Sequence, residues 1–326
     1  MPASAAAGAL PRQLLAWYRR HRRALPWRAA PGTLVDPYPV WVSEVMLQQT
    51  QVQTVIPYYR RFLCQFPSLA ALARAREAEV LAAWSGLGYY RRARQLHQAA
   101  GLVMERHSGA FPLEMAAARA LPGVGAYTAG AILSIAGAQA VAALDGNALR
   151  IVRRLTGRPL TPPAARQWLE RHIPPRRPGD FNQALMDLGA LICRPRAPLC
   201  GRCPLRRLCV AQGRELPPPP PRRSRHLASA YSLATRGGRA WLRQRPPDAR
   251  QLAGMWELPP AGVEPGPHLA TVRHAITTTR ITAAVHAAPR ALPPGRWFTQ
   301  AQAARAPLTG LARKILRRGL GWNFPL

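Results

Sequence analysis

Four cysteines, Cys193, Cys200, Cys203 and Cys209, follow the spacing C-x6-C-x2-C-x5-C directly after the apolar segment "FNQALMDLGALIC". No other feature limits the folding of this chain so tightly. Thiolates this close in sequence must face one common centre, so the apolar segment has to deliver the chain into a short, tightly wound loop. Compact and uneven spacing suits a cubane cluster with one cysteine per iron corner. Zinc stays open as the other occupant, although four-cysteine zinc sites usually join two knuckles across a longer insert. A disulfide framework fits poorly, because only Cys64 lies outside the segment, and an intracellular, reduced setting is expected. Cys64 stands among apolar neighbours and reads as a small buried side chain.

Arginines crowd the same loop: Arg194, Arg196, Arg202, Arg206 and Arg207. The bias runs through the whole chain. Its 46 Lys+Arg against 14 Asp+Glu give a formal charge of +32, and Lys314 is the one lysine. Such an excess points to a polyanionic partner, since guanidinium groups neutralise phosphates and release their counterions. Nucleic acid is the partner expected, with the cysteine loop turned toward phosphates. No apolar run approaches the roughly 20 residues of a membrane span, so no membrane role is expected. Near the N-terminus, Leu10, Leu14, Leu15 and Tyr18 recur at helical spacing, which reads as a folded first helix rather than a targeting segment. A cytoplasmic monomer, associated with the nucleoid, is the expectation.

Residues 10–212 read as nearly all helix. Periodic runs include "SEVMLQQTQVQTVI", "EAEVLAAWSGLGYY", "YRRARQLHQAAGLVMERH", "AYTAGAILSIAG", "NALRIVRRLTG" and "FNQALMDLGALIC", each bounded by Gly, Pro or a capping Ser or Asp. Then "GRELPPPPPRRSRH", residues 213–226, breaks the pattern, because a proline run favours an extended spacer. Beyond it, "ASAYSLATRGGRAWLRQR", "TRITAAVHAA" and "GRWFTQ" read as short strands, and "LTGLARKILRRGL" as a closing helix. The expected organisation is a mainly α domain over residues 1–212, a proline-rich linker, and a small α+β domain over residues 227–326.

Acids are so few that each one in an apolar setting is informative. Glu44 lies in "WVSEVML", beside Trp41, Val45, Met46 and Leu47. It reads either as a first-turn helix cap or as a carboxyl whose pKa is raised by apolar surroundings, which is what a general acid needs. Asp145, in "AALDGNALR", reads as a helix cap ahead of Asn147 or as the second carboxylate of a pair. In "ALPGVGAYTAGAI", residues 120–132, Gly123 and Gly125 permit a tight turn and expose N–H groups at a helix start. That is a cradle for phosphate, with Tyr127 at its mouth.

"LPWR", "WVSEVMLQQTQV", "GLGYYRRARQLH", "LPGVGAYTAGAI", "LDGN", "FNQALMDLGALIC" and the four-cysteine loop, in this order over most of residues 20–210, resemble the MutY family of adenine DNA glycosylases. These belong to the helix-hairpin-helix, endonuclease III-like superfamily. The resemblance implies that superfamily's mainly α fold, with one 4Fe-4S cluster held by Cys193, Cys200, Cys203 and Cys209. After the linker, "WLRQRP" and "LAGMWELPPAG" resemble the family's C-terminal domain, which is related to MutT/Nudix pyrophosphohydrolases. Only Glu257 and Glu264 are available for the metal box of those hydrolases, so a recognition role is expected instead.

The implied activity is removal of adenine paired with 8-oxoguanine or guanine in double-stranded DNA, which requires the base to leave the stack. In this reading Glu44 protonates adenine N7, Asp145 stabilises an oxocarbenium-like sugar electrostatically or as a transient covalent partner, and Asn147 supports the geometry. Ionised Glu44 then activates the water. Leu25, Trp27 and Arg28 become walls of the adenine pocket. Gln49 and Tyr89 enter the gap or press on the opposing base, with Gln48 and Leu87 beside them. For Trp27, Leu87 and Tyr89 the alternative is core packing, and for the two glutamines a backbone bond. Family members usually show Phe-Ser-His in the opposite-base loop, where this chain has Ile276-Thr277-Thr278. Thr277 can replace a serine hydroxyl, but Thr278 cannot replace an imidazole.

Lyase members of the superfamily place a lysine just after the hairpin, where this chain has Tyr127, and a phenol cannot form an imine. Hydrolysis without strand cleavage is therefore expected. Two other readings stand beside it: a bifunctional glycosylase/lyase or thymine-mismatch glycosylase, and a non-enzymatic iron–sulfur DNA-binding protein. The last leaves Glu44 and Asp145 without a role.

Overall fold

Capping side chains set several helix starts in this chain. The structure, a computed structural model, describes residues 3–33, 35–212, 225–249, 252–276, 279–289 and 291–324, with side chains from residue 8 onward. In chain order the helices are α1 (Ala3–His21), α2 (Pro37–Leu47), α3 (Val52–Gln65), α4 (Leu69–Arg74), α5 (Glu77–Trp84), α6 (Arg91–Arg106), α7 (Met115–Ala120), α8 (Ala126–Ile135), α9 (Gly146–Thr156), α10 (Pro162–Glu170) and α11 (Pro178–Leu191). Strands follow: β1 (Arg225–Leu233), β2 (Thr235–Arg236), β3 (Arg239–Gln244), β4 (Trp256–Glu257), β5 (His268–Ile276), β6 (Thr279–Ala287) and β7 (Arg296–Phe298). Helices α12 (Gln300–Ala304) and α13 (Gly310–Leu320) close the chain. The mainly α first part and the α+β last part agree with the sequence reading. No helix among the described residues is long and apolar enough to cross a membrane.

Two compact units form, divided in sequence within the proline run and again inside the helical part. One gathers Met1–Gln49, Ser68–Ala70 and Gln98–Pro219, and the other gathers Thr50–Pro67, Ala71–His97 and Pro220–Leu326. Residues 213–224 of the expected linker lie outside the described residues, while Arg225 and His226 already belong to β1.

In the first unit, Leu10, Leu14, Trp17 and Tyr18 form one stripe of α1 and pack into a core with Ile151, Leu155, Leu169, Phe181 and Leu188. Two glycines let backbones approach where a methyl would not fit. A Cβ on Gly130 of α8 would lie 2.5 Å from the Ala142 carbonyl, and one on Gly189 of α11 would lie 2.6 Å from Cβ of Asn147. In the second unit, β1 pairs in parallel with β6, and β5 pairs antiparallel with β6. A second sheet joins β2, β3 and β4, with β7 on the other side of β3. Leu242, Leu258, Val285, Phe298, Leu308, Ile315 and Leu316 fill the core beneath them.

Three local readings need correction. "SEVMLQQTQVQTVI" is not one helix: α2 ends at Leu47, Gln49 turns into the left-handed region at φ 57°, and α3 begins at Val52. Cys64 is exposed. The buried stripe of α3 is Val55, Tyr58, Tyr59 and Phe62, and a helix carries Cys64 about 200° past Phe62. Within "VRHAITTTRIT", Ile276 ends β5 opposite Thr279 of β6, while Thr277 and Thr278 of the expected opposite-base loop lie outside the described residues. Of the two hairpin glycines, only Gly123 (φ 77°) needs its lack of a side chain for conformation, since Gly125 sits at φ −82°.

Candidate active site

Glu44 is not a helix cap. Asp36 caps α2 through the Tyr38 N–H, and Glu44 falls two turns later, where the whole helix is buried. Its partner comes from the first turn of α8, where the Tyr127 hydroxyl donates to Oε2 of Glu44 at 2.8 Å, with Sδ of Met186 4.0 Å behind it. Burial pushes the Glu44 carboxyl from its ordinary 4.5 up to about 7; the Tyr127 hydroxyl and then Arg28 oppose that rise, and Asp145 adds to it. Burial, reinforced by the charges of Glu44 and Asp145, holds the Tyr127 pKa well above its usual 10. The phenol therefore remains a donor at any working pH. It favours the ionised carboxylate without abolishing the effect of burial.

Asp145 fills the capping role the sequence offered. As N-cap of α9 it accepts from the Ala148 N–H at 2.7 Å, and its other oxygen accepts from Nδ2 of Asn147 at 2.8 Å. Asn182 of α11 steadies the approach, since its side chain bonds Ala143 N–H and the Val141 carbonyl. Asn147 is itself held: Nη2 of Arg150 donates to its Oδ1 at 2.9 Å and to the Gly189 carbonyl at 3.0 Å, while Nε bonds the Cys193 carbonyl. One guanidinium thus ties the second carboxylate's neighbour to the start of the cysteine loop. Asp187 organises the opposite side. Fully buried in α11, it takes Nη1 of Arg28 at 2.6 Å and Nε of Arg23 at 2.6 Å. Arg28 is fixed within electrostatic reach of Glu44.

The structure gathers Arg28, Glu44, Tyr127, Asp145 and Asn147 in the first unit. Leu25 accepts the Arg28 N–H across a turn that also holds Trp27. Trp27 and Arg28 line a pocket with Thr33, Ser134, Arg177 and Gln183, and Glu44 is not among its walls. Gln48 caps the end of α2, and its amide donates to Oγ1 of Thr128 at 3.3 Å. Gln49 is exposed. Leu87 and Tyr89 belong to the second unit, Leu87 buried and Tyr89 half-buried at φ 51°. Asp187, Arg150 and Gly189 escaped the sequence reading. Asp187 carried a signal, as one of so few acids inside an apolar helical run; Arg150 carried none.

At the hairpin, α7 ends, Gly123 turns the chain, and α8 starts after Gly125. A Cβ on Gly125 would meet nothing within 4 Å, so the protein itself leaves this approach open. All four loop cysteines are free and line one mostly apolar pocket with Ile192, Pro198 and Ala211. Among the described residues no three His, Cys, Asp or Glu side chains converge closely enough for a single metal ion. Arg154 braces the loop, donating to Sγ of Cys193 at 3.3 Å and to the Arg194 and Pro195 carbonyls. Arg194, Arg196, Arg202, Arg206 and Arg207 are exposed.

Residues 42–175 match the family described as HhH-GPD superfamily base excision DNA repair protein. The chain is 35% identical to the adenine DNA glycosylase of Rattus norvegicus, across 94% of this chain and 77% of that protein. It is also 35% identical to the adenine DNA glycosylase of Homo sapiens, across 93% and 72%. Among solved structures, a thermostable thymine-DNA glycosylase superposes with a TM-score of 0.60 at 28% identity, covering 65% of this chain and 99% of that one. A trapped endonuclease III–DNA covalent intermediate superposes at 0.53 with 19% identity, over 62% and 93%, a likeness of fold.

Proposed function

The chain belongs to the adenine DNA glycosylase family, and from that premise we propose a monofunctional, hydrolytic enzyme that removes adenine paired with 8-oxoguanine or guanine in duplex DNA. Membership itself makes the chain a DNA N-glycosylase of base excision repair. The observation that carries the finer reading is the buried Glu44 carboxyl, at about 7, hydrogen-bonded by Tyr127. A carboxyl in that range keeps a substantial protonated fraction near neutrality and can give its proton to adenine N7. As the base leaves, positive charge develops on the sugar, and Asp145, fixed by Ala148 N–H and Asn147, supplies the negative charge that stabilises it. Glu44, then ionised and supported by the Tyr127 hydroxyl, orients and deprotonates water.

Hydrolysis rather than lyase chemistry is supported by two residues. Tyr127 stands just past the hairpin with its hydroxyl committed to Glu44, and Lys314 lies in α13 of the other unit, donating to the Arg273 carbonyl. The exposed glycines of the Gly123–Gly125 turn ahead of α8 suit a DNA phosphate, with Val124 buried between them. Four free cysteines around one pocket, with Arg154 and Arg206 beside them to offset charge, fit a 4Fe-4S cluster. Bound by Cys193, Cys200, Cys203 and Cys209, the cluster would hold the loop and its arginines in place. In the C-terminal segment, Glu257 is buried and accepts from both Arg243 and Arg245, while Glu264 is exposed. That commitment favours recognition over pyrophosphate hydrolysis.

Single-turnover base release from A·8-oxoguanine, A·G, A·T and T·G duplexes tests the reading. Release of adenine from the first two without a borohydride-trapped adduct is expected. Thymine release would favour the thymine-mismatch alternative, and a robust adduct would revive the lyase.

A further inference from the structure

Tyr89 sits in a six-residue turn, Ser85–Tyr90, between α5 and α6 of the second unit. Three residues of the turn take positive φ: Gly86 at 104° and Gly88 at 78°, where glycine is at ease, and Tyr89 at 51°, where a side chain is disfavoured. A bulky residue is disfavoured in the left-handed region, and such strain persists only where the surroundings over-determine it. Here the surroundings are specific. The Ser85 hydroxyl donates to the Leu308 carbonyl at 2.9 Å, and the Tyr90 hydroxyl donates to the same oxygen at 2.9 Å. Gly86 N–H returns a bond to the Tyr90 hydroxyl at 3.1 Å, and Nε1 of Trp84 holds the Gly88 carbonyl at 3.0 Å. Residues on both flanks of Gly86–Tyr89 are therefore hung from one acceptor more than 200 positions away in sequence.

Leu308 is a fixed point. It is fully buried and precedes Thr309, the N-cap of α13. Both neighbours bond Trp256, the Pro307 carbonyl accepting its N–H and Thr309 N–H donating to its carbonyl. The helix that starts there packs on β5: Nζ of Lys314 donates to the Arg273 carbonyl, and Gly310 lies against His274. Two residues beyond His274, β5 ends at Ile276, beside the segment that the family resemblance assigns to opposite-base reading. A continuous set of contacts thus runs from β5 through α13 and Leu308 to the turn that carries Tyr89.

We propose that Ser85 and Tyr90 are positioning residues whose hydroxyls, anchored on the Leu308 carbonyl, set how Tyr89 is presented to the duplex and couple opposite-base preference to base extrusion. This rests on the reading of Tyr89 as the side chain that presses into the DNA. Two of the residues concerned, Ser85 and Tyr90, lie outside the set that resemblance had nominated.

The test compares wild type with Ser85→Ala, Tyr90→Phe, the double variant and Tyr89→Ala. Each is measured for melting temperature, single-turnover adenine release opposite 8-oxoguanine and opposite guanine, and fluorescence of a 2-aminopurine placed next to the target adenine. Tyr90→Phe keeps the ring and removes only the hydroxyl, with its bonds to the Leu308 carbonyl and from the Gly86 N–H, so it stays informative if the double variant does not fold. The expected result is slower extrusion and an 8-oxoguanine-to-guanine rate ratio reduced about tenfold in the double variant, the size of one net hydrogen bond. Each single variant is expected to give a smaller change in the same direction. Folded variants with wild-type extrusion and an unchanged ratio overturn the proposal, as does an equal fall of both rates, which marks a merely structural role. Wild-type behaviour of Tyr89→Ala overturns instead the reading of Tyr89 on which the proposal stands.

Discussion

Glu44 in the first unit and Tyr89 in the second are both held away from their resting preferences, but by different physics. Glu44 is displaced by burial, and one hydroxyl, from Tyr127, tunes how far. Tyr89 is displaced by backbone geometry, and several modest hydrogen bonds share the work of keeping it there. The first arrangement concentrates a chemical property in one atom pair, so a single substitution should abolish it and pH should modulate it. The second distributes a shape over many weak contacts, so single substitutions should erode it gradually and pH should matter little.

Substitutions can break this contrast in order of size. Glu44→Gln keeps the side chain's volume and removes the transferable proton. Adenine release should fall by about 10²–10⁴-fold while duplex affinity in a binding titration stays near wild type. Asp187→Ala comes next, because it strands Arg28 in a buried site together with half-exposed Arg23. A loss of about 3–5 kcal/mol in denaturant-derived stability is expected. Stability unchanged by that substitution would mean the two guanidiniums find other partners. Gly125→Ala is the smallest case. Its φ and its open surroundings predict a stability change under about 1 kcal/mol. Duplex affinity should nonetheless drop severalfold, as the new methyl enters the path of the phosphate.

Much of the first unit's chemistry was legible because it rests on local patterns. Glu44 sits in an apolar run and Asp145 at a helix start, and burial and capping are properties a short window reveals. The same windows failed where partners are distant. The run through Gln48, Gln49 and Thr50 contains no Gly or Pro, so nothing local marks the break between α2 and α3. Cys64 has apolar neighbours in sequence, yet helical rotation turns it to solvent. Arg150 is one of many arginines, and only the folded approach of α11 to α9 at Gly189 shows what it holds. The grouping of residues 50–67 and 71–97 with the C-terminal segment depends on pairings such as Tyr90 with Leu308, which no spacing encodes.

Raising the Glu44 pKa on folding also fixes a sign for stability. The native state binds this proton more tightly than the unfolded chain, so the stability contributed by this group, about 3 kcal/mol at most, is fully present below about pH 4.5 and is lost as pH rises through about 7. The same property should appear in catalysis. The most direct measurement is the pH dependence of single-turnover adenine release in wild type and in Tyr127→Phe. Wild-type release should fall as pH rises through about 7. In Tyr127→Phe the descending limb should move to higher pH, because the carboxylate loses the donor that favoured its ionisation. A rate that stays flat from about pH 5 to about pH 9, or a limb unmoved by loss of the phenol, would contradict the assignment of Glu44 as the buried general acid.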